Sequence, residues 1–398
     1  MFANRYLERN KPKPLIADPP DSELGLSVII PCYREPDILH TLESLKNCEK
    51  PQQSVEVIIV VNHSEVEEET IKAINRRTKV EIENWIAKNP LKKIRFFVVG
   101  PIALSKKWAG AGLARKSGMD EAVRRFNVLG KKEGLIISLD ADTFVETNYL
   151  NAIEKHFIKN PKNVATIINF QHRTTALSDK HLEGIRFYEL YMKYYKEALC
   201  FTGYPYAMFT VGSAFAVKAD AYVKRGGMNR RQAGEDFYFL QNLAQLGAIG
   251  ELNKTTVYPS ARVSDRVPFG TGPILQKWLS GKEDLSITYN FLAFEDLKYF
   301  FDRKEHFYRS DESEYLQLIN DLPVPVKKFL LHDNFRKELD DLNKNCSSRE
   351  TFSLRFFQKF NAFKILKFLN FGHEQYYQKA DLKEQLNLLH KKDSHLKS

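Results

Sequence analysis

The sequence predicts an α/β protein in which a mainly parallel sheet carries helices on both faces and is followed by a mostly helical C-terminal region. Short aliphatic strands alternate with helix-length segments from residue 26 to about residue 275, as in parallel sheets that are buried on both faces. Beyond that point the segments become helical and rich in Phe, Leu and Lys. We therefore expect an N-terminal tail over 1–24, an α/β domain over 25–275 and a helical, basic region over 276–398.

Each predicted element follows from a local pattern. Runs of about four to eight β-branched and aliphatic residues predict strands, and apolar residues that recur every third or fourth position predict helices. Pro31 ends the first strand, and Pro36 and Asp37 suit the first turn of the next helix. The predicted strands are 26–31, 55–61, 94–99, 135–139 and 164–170, and the helices are 36–46, 65–88, 109–126, 149–158 and 181–200, followed by an apolar stretch at 209–217 and a helix from about 234.

The composition excludes several classes of protein. With 398 residues, 43% of them hydrophobic, the chain can bury a large core and is not disordered. Its four cysteines are far apart, which predicts neither disulfides nor a zinc site. The net charge of +10 favours anionic partners. We see no signal-peptide core and no run of membrane-spanning length, so we expect a soluble, cytoplasmic protein, with peripheral contact at the inner face of a membrane as a further expectation.

The stretch from residue 134 to residue 143 carries the clearest chemical signal. A buried strand ends there at two carboxylates, Asp140 and Asp142, which are separated by one small residue. Ligands bind beyond the carboxyl ends of parallel strands, and two acids there can share Mg²⁺ or Mn²⁺ together with substrate phosphates. The alternative is an acidic turn in which Asp142 or Thr143 caps the following helix.

A glycine-rich segment, residues 110–117, opens a predicted helix and contains Arg115. It is neither a dinucleotide-binding fingerprint nor a Walker A loop, because Arg115 stands where glycine is required. Two interpretations remain open. The helix start and its basic side chains meet an anion, or the basic side chains are solvated and the glycines serve close packing.

Two further segments contain charged groups near a predicted turn. Glu235 and Asp236 precede an apolar helical run, where they either cap the helix or provide a general base.

Residues 268–273 are rich in Pro and Gly and follow Arg262 and Arg266. They suit either a hinge or a loop with a pair of arginines for a diphosphate. We expect residues 267–273 to form a loop that closes over the ligand.

The order of these motifs resembles that of the family 2 glycosyltransferases, over about residues 25 to 280. Each motif is short, but the ordered set is specific. The set consists of Pro31-Cys32-Tyr33-Arg34-Glu35, residues 110–118, Asp140-Ala141-Asp142, Gly212-Ser213, Gly226-Gly227 and Glu235-Asp236.

The resemblance implies the GT-A fold, with a mainly parallel Rossmann-like sheet. It also implies a hexosyltransferase-like enzyme that moves a sugar from a nucleotide-diphosphate sugar to an acceptor hydroxyl with inversion. The acceptor would be a glycan, a lipid-linked molecule or a small molecule. For the donor, the resemblance implies that Pro31, Tyr33, Glu35 and Asn62 contact the base and ribose and that Arg115 and Arg266 contact the diphosphate. Asp142 would bind Mn²⁺ or Mg²⁺ with help from Asp140, which acts directly, through water or through the ribose. Asp236 would be the catalytic base, with Glu235 as the second choice.

Departures from the family pattern matter as well. Asn62 and its neighbours stand where the family usually has acids that contact the nucleotide base, and the segment near Trp278 matches the processive motif only in part. With no membrane helices expected, the enzyme is predicted to be non-processive.

Two alternative functions stay open. The first is a nucleotidyltransferase, which is disfavoured because no glycine follows the first strand. The second is a noncatalytic basic protein that binds nucleic acid or membrane. We expect no nucleic-acid partner.

Two aromatic segments have open interpretations. On the helix 181–200, tyrosines at helical spacing are expected in a core, with a sugar-binding surface as the alternative. The segment 355–371 is predicted as one basic amphipathic helix. We prefer packing of its aromatic side, which includes Phe356 and Phe360, onto the catalytic domain over contact with an anionic membrane, because apolar residues also occur off that side.

Overall fold

The computed structural model describes residues 1–232, 234–264 and 270–396. The chain forms two compact units. Unit 1 consists of residues 1–178 and 210–277, and unit 2 consists of residues 179–209 and 278–398. The predicted division of the chain at residues 25 and 275 stays a prediction.

The first part of unit 1 alternates strands and helices as predicted. Continuous apolar runs form its strands, and amphipathic segments form its helices. In order, the elements are α1 (Asn4–Asn10), β1 (Leu24–Cys32), α2 (Ile38–Lys46), β2 (Ser54–Ser64), α3 (Glu69–Lys88), β3 (Ile94–Leu104), α4 (Ala111–Val128), β4 (Leu135–Ser138), β5 (Phe144–Val145), α5 (Tyr149–Lys159) and β6 (Asn163–Phe170).

The chain then contributes one long helix to unit 2 and returns to unit 1. The elements from there to the end of unit 1 are α6 (Asp179–Phe201) in unit 2, then β7 (Phe215–Lys218), α7 (Ala219–Lys224), α8 (Glu235–Ala244), β8 (Ala248–Tyr258) and the start of α9 (Thr271–Leu279).

Eight strands of unit 1 form one mostly parallel sheet in the order β3-β2-β1-β4-β7-β6-β8-β5. β1 pairs in parallel with β2 on one side and with β4 on the other, whereas β7 is antiparallel to β4 and β6. The predicted fold class is therefore confirmed. Because the carboxyl ends of β2, β1 and β4 lie at one edge, the residues that follow these strands come together there.

The core of unit 1 is formed mainly by the central strands. Almost every residue of β1 and β2 is buried, because helices cover the sheet. Each fully buried aliphatic side chain contributes about 1.5–3 kcal/mol. This rigid centre holds the loops at the strand ends in place.

Two features of unit 1 differ from the sequence predictions. β8 was not predicted, since Glu251, Asn253 and Lys254 interrupt its apolar pattern and lie exposed on the strand. In addition, the apolar stretch 209–217 is a strand only from Phe215. The residues before it include Gly212, whose role in the site is described below.

The predicted N-terminal tail packs along α4. The backbone N–H of Ala3 donates to Asn127 Oδ1 at 2.9 Å, and Tyr6 Oη donates to the buried Asp120 at 2.6 Å. Lys116 on the preceding turn of α4 pairs with the same carboxylate at 3.0 Å. These contacts attach the first residues of the chain to the helix that carries Arg115.

Unit 2 is helical, with one two-stranded sheet. Besides α6, its elements are β9 (Ile287–Thr288), α10 (Phe291–Asp302), a 3₁₀ helix (Lys304–Phe307), α11 (Glu312–Asn320), α12 (Val324–His332), α13 (Phe335–Lys344), α14 (Arg349–Lys359), α15 (Ala362–Gln375), β10 (Ala380–Asp381) and α16 (Leu382–Leu396).

The segment 355–371 does not form the single helix that was predicted. It divides between α14 and α15, because the side chain of Asn361 accepts hydrogen bonds from the N–H groups of Phe363 and Lys364 and starts a new helix. Phe356 and Phe360 are buried among phenylalanines of unit 2, including Phe300 at 5.6 and 5.2 Å between ring centroids. These two rings therefore pack inside unit 2 itself, and packing of this segment onto the α/β domain stays a prediction. Among the described residues, no helix is long and apolar enough to cross a membrane.

Candidate active site

The residues after β1 form one side of the site. Pro31 lies in β1 opposite Val60 of β2. Tyr33 Oη donates to Glu67 Oε2 at 3.0 Å, and the pKa of Tyr33 is raised by partial burial and by this carboxylate. Glu35 is buried, and its Oε1 accepts the backbone N–H of Asp37 at 2.9 Å. Its other oxygen pairs with an arginine that is described below.

Asn62, at the end of β2, has a clear structural role. It is buried, and its Nδ2 donates to the carbonyls of Cys32 at 3.1 Å and Val60 at 3.2 Å. The side chain therefore ties β2 to β1. A contact between Asn62 and a nucleotide stays a prediction.

Asp140 and Asp142 lie in the turn that follows β4, as predicted from the sequence. The turn is held by Thr41 of α2, whose hydroxyl donates to the carbonyl of Ala141 at 2.9 Å. Among the described residues, no group of three or more His, Cys, Asp and Glu side chains is placed to hold a metal ion. Two carboxylates completed by substrate phosphates are nevertheless a common environment for Mg²⁺. The donor set therefore fits a cation that binds together with a phosphorylated ligand.

Arg115 joins two of the predicted acidic motifs. Its Nη2 donates to Asp140 Oδ1 at 2.6 Å, and its Nη1 pairs with Glu235. We call these three residues the Arg115 cluster. The Arg115 side chain is only 2% exposed and that of Glu235 6%, whereas that of Asp140 is 37% exposed. The cluster therefore connects the end of β4 to the first residue of α8, and a contact between Arg115 and a diphosphate stays a prediction.

Asp236 lies beside this cluster and is half-buried. Its Oδ1 accepts the backbone N–H of Phe237 at 2.8 Å. Burial raises the pKa of Asp236, Arg115 opposes that rise, and the negative charge of Asp140 adds to it. A carboxylate with a raised pKa is a stronger base near neutral pH, which suits proton transfer.

Arg262, which the sequence suggested only as one half of an arginine pair, holds a second group of acids. Its Nη1 donates to Asp37 Oδ2 at 3.1 Å and its Nη2 to Asp142 Oδ2 at 3.2 Å, and Nη2 also pairs with Glu35. We call these four residues the Arg262 cluster. Its guanidinium therefore links Glu35 and Asp37, which follow β1, to Asp142, which follows β4.

The other predicted arginine and most of the predicted loop cannot be placed in the same way. Arg266 and residues 265–269 lie outside the described residues. The last residues of the predicted loop, Thr271 to Pro273, belong to the first turn of α9, so the loop prediction is wrong for them. Pro in a first helical turn is favourable because the missing N–H would have no partner there.

Two glycines allow the site to close around the Arg115 cluster. A Cβ on Gly112 would lie 2.1 Å from the carbonyl oxygen of Arg231, so only glycine lets α4 approach the segment before α8. A Cβ on Gly212 would lie 2.9 Å from Arg115 Nη2 and 3.4 Å from Asp140 Oδ2. Gly112 therefore serves close packing, as one interpretation of the glycine-rich segment expected, but the solvated basic side chains of that interpretation are wrong for Arg115 and Lys116, which are buried.

Comparison with known proteins gives one family and a set of similar structures. Residues 27–224 match the model described as Glycosyl transferase family 2, and no curated protein sequence matches the chain. TarS 1-349 from S. aureus, in complex with UDP-GlcNAc, has 15% sequence identity and a TM-score of 0.41, with 84% of this chain and 92% of that chain covered. Mannosyltransferase PcManGT from Pyrobaculum calidifontis, in complex with GDP-Man and Mn²⁺, has 15% identity and a TM-score of 0.39, with 94% of this chain and 86% of that chain covered.

Proposed function

Residues 27–224 of this chain belong to glycosyl transferase family 2, and we propose that this glycosyltransferase is metal-dependent, inverting and non-processive. It transfers a sugar from a nucleotide-diphosphate donor to an acceptor hydroxyl. The observation that carries the proposal is the ion pairing of Arg115 with both Asp140 and Glu235. Arg115 thereby links the acids proposed for the donor, Asp140 and Asp142, to the acids proposed for the acceptor, Glu235 and Asp236.

Asp236 is the proposed catalytic base. It would accept the proton of the acceptor hydroxyl while that oxygen attacks the anomeric carbon and the bond from this carbon to the diphosphate breaks. A single base opposite the leaving group gives inversion of the anomeric centre. The raised pKa of Asp236 supports this role, because a stronger base takes more of the proton in the transition state.

Glu235 is better suited to holding the site than to proton transfer. Its carboxylate is nearly buried and pairs with Arg115, so it is not open to an acceptor. In this proposal Glu235 and Arg115 keep the start of α8, and with it Asp236, at a constant position relative to Asp140.

Asp142 and Asp140 are the residues that would hold Mn²⁺ or Mg²⁺. When bound, the cation would stabilise the charge that accumulates on the departing diphosphate. Asp140 is the more exposed carboxylate, at 37% against 20% for Asp142, but its partner Arg115 is buried. Arg262, the partner of Asp142, is partly exposed and can turn toward the diphosphate, which would free Asp142 for the cation. Arg115, being buried, keeps Asp140 oriented.

The test is donor turnover by the full chain. We expect one of the UDP-, GDP-, TDP- or CMP-linked sugars to raise the thermal midpoint in the presence of Mn²⁺, because a ligand of the native state stabilises it. The same donor should be hydrolysed slowly, with release of the free sugar. Hydrolysis should stop when EDTA removes the cation and resume when Mn²⁺ is restored in excess.

Three results would contradict the proposal. Donor hydrolysis that continues unchanged in EDTA would remove the metal dependence. Formation of a nucleotide sugar from a nucleoside triphosphate and a sugar phosphate, with release of pyrophosphate, would make the protein a nucleotidyltransferase. Salt-sensitive binding to RNA, DNA or anionic vesicles without any donor turnover would make it a noncatalytic basic binder.

A further inference from the structure

Arg173 follows β6 in a segment of unit 1 that continues the sheet beyond the strand ends. Its backbone N–H donates to the carbonyl of Pro259 at 3.0 Å, and it forms a parallel bridge with Ser260, the residue after Pro259. Arg262 comes next on that side, and its backbone N–H donates to Ser260 Oγ at 3.3 Å. The sheet therefore places Arg173 and Arg262 on neighbouring extended segments of the same unit.

The guanidinium of Arg173 is held beside the turn that carries Asp142. Its Cζ lies 3.7 Å from the ring centroid of Phe144 in β5. Its Nη2 donates to the backbone carbonyl of Asp142 at 3.0 Å. Arginine stacks favourably on an aromatic face. The ring and the carbonyl together fix the plane and the direction of the guanidinium before any ligand binds.

The positive charge of Arg173 is less compensated than that of the other two arginines of the site. Arg115 and Arg262 each pair closely with carboxylates. Among the described residues, the only carboxylate within ion-pair distance of Arg173 is Asp37, at 4.0 Å from Nη2 to Oδ2. Its short contact with Asp142 is to the neutral carbonyl and leaves that carboxylate unpaired by Arg173. A partly uncompensated cation therefore lies next to the acid proposed for Mn²⁺ or Mg²⁺.

Arg173 also keeps hydrogen-bond donors that the protein does not use. A guanidinium has five N–H groups. Within the described part of the chain, the hydrogen bond from Nη2 to Asp142 is the only one that this guanidinium makes, and Nε is buried without a partner. The side chain is nevertheless 26% exposed, against 2% for Arg115. The two N–H groups of Nη1 are therefore unused on a side chain that water partly reaches.

We propose that Arg173 is a donor-binding residue whose guanidinium contacts the diphosphate of the nucleotide sugar. The proposal rests on the proposed function, because it requires a diphosphate beside Asp142. Charge-assisted hydrogen bonds from a guanidinium to phosphate oxygens are short and strong. They strengthen as negative charge accumulates on the departing diphosphate, so the contact would favour transfer as well as binding.

The experiment is calorimetric titration of the full chain with UDP, GDP and TDP at a Mn²⁺ concentration that saturates the wild type. Arg173→Gln should weaken binding of the preferred nucleotide by about tenfold or more, because hydrogen bonds to charged groups are lost. Arg173→Lys keeps the charge without the planar fork and should lie between Arg173→Gln and the wild type.

Arg95→Gln is the matched control and should bind nucleotide like the wild type. Arg95 also stacks on a phenylalanine, Phe97, at 4.9 Å, and lies 3.5 Å from a carboxylate of Asp18. Its side chain is 33% exposed, close to the value for Arg173. It stands near the amino end of β3, whereas the site lies at the carboxyl ends of the strands.

Three outcomes would overturn the proposal. The first is equal nucleotide binding by the wild type and by correctly folded Arg173→Gln. The second is recovery of the wild-type affinity when Mn²⁺ is raised further, which would show that Arg173 acts only through the turn that carries Asp142. The third is an equal loss in Arg95→Gln, which would indicate a general effect of net charge.

Two further readouts keep the result decisive. Near-UV circular dichroism shows whether each variant is folded, and if Arg173→Gln unfolds, wild-type affinity in Arg173→Lys overturns the contact. The wild type separates the two proposals. If it binds none of the three nucleotides and hydrolyses no donor, the proposed function fails and the role of Arg173 fails with it. If it binds one of them and Arg173→Gln binds equally well, only the role of Arg173 is wrong.

Discussion

The Arg115 cluster and the Arg262 cluster have the same chemistry but different surroundings. In each, one guanidinium bridges an aspartate from the turn after β4 to an acid from another element. The Arg115 side chain is 2% exposed and that of Arg262 is 27% exposed. A buried ion pair is costly to break because it leaves a desolvated charge behind, whereas a solvated pair exchanges partners at little cost. We therefore assign a positioning role to Arg115 and a ligand-exchanging role to Arg262.

The largest effect is expected at Asp142, in the exposed cluster. Asp142→Ala should abolish transfer and remove metal-dependent nucleotide binding, because the cation loses its main carboxylate. Thermal shift with donor and Mn²⁺, together with turnover at saturating donor, measures both effects. Asp302→Ala, in an exposed ion pair of unit 2, is the control and should behave as the wild type. Full turnover by Asp142→Ala would end the metal assignment and reduce the Arg262 cluster to a structural feature.

The next effect separates chemistry from binding at the buried cluster. Asp236→Asn should fold, bind donor normally and lose turnover by roughly two to four orders of magnitude, the usual contribution of a positioned base. Donor affinity from calorimetry and single-turnover rates provide the two readouts. If donor affinity collapsed while the residual rate stayed high, Asp236 would be a binding residue and Glu235 would become the candidate base.

The two arginines themselves should differ in their effect on stability. Arg115→Ala should lower the free energy of unfolding by about 3–5 kcal/mol, because Glu235 is left buried and unpaired. Arg262→Ala should lower it by less, roughly 1–3 kcal/mol, since water reaches Asp37 and Asp142 and only Glu35 is left buried. Urea unfolding without ligand measures both values. Equal losses would show that exposure does not distinguish the clusters.

The smallest expected effect is a shift of the pH profile. Asp236 must be deprotonated to act as a base, so activity rises with pH through its pKa. Burial raises that pKa. The acid limb of the turnover profile should therefore lie at higher pH than the ordinary aspartate pKa, which is about 3.9. Removing Arg115, whose charge lowers the pKa, should move the limb to still higher pH in any variant that folds. A limb at the ordinary position would contradict the role of Asp236.

Much of the fold followed from local patterns. The strands β1, β2 and β3, with the helices between them, lie where aliphatic runs and helical periodicity predicted them. β8 was missed because it is only partly buried and its polar residues obscure the strand pattern. The division of segment 355–371 was missed because the stripe of apolar residues continues across Asn361, and only the capping geometry shows the break.

The candidate site was predictable as a set of motifs but not as a set of contacts. Tyr33, Asp140, Asp142 and Asp236 could be named because each follows a strand or starts a helix. Arg262 is different, because it pairs with Asp37 across 225 positions of sequence and no local pattern marks that contact. The sequence showed only that two arginines, Arg262 and Arg266, precede a predicted loop. It did not show which of them contacts the acids of the site.

The sequence by itself determined the alternation of strands and helices, the position of the acids at strand ends and the family of residues 27–224. These properties depend on neighbours in the chain, through side-chain period, backbone preference and motif order. The tertiary structure alone decided which acid each arginine holds and how deeply each pair is buried. These properties arise from contacts between distant segments, where burial determines the strength of a charge or a hydrogen bond.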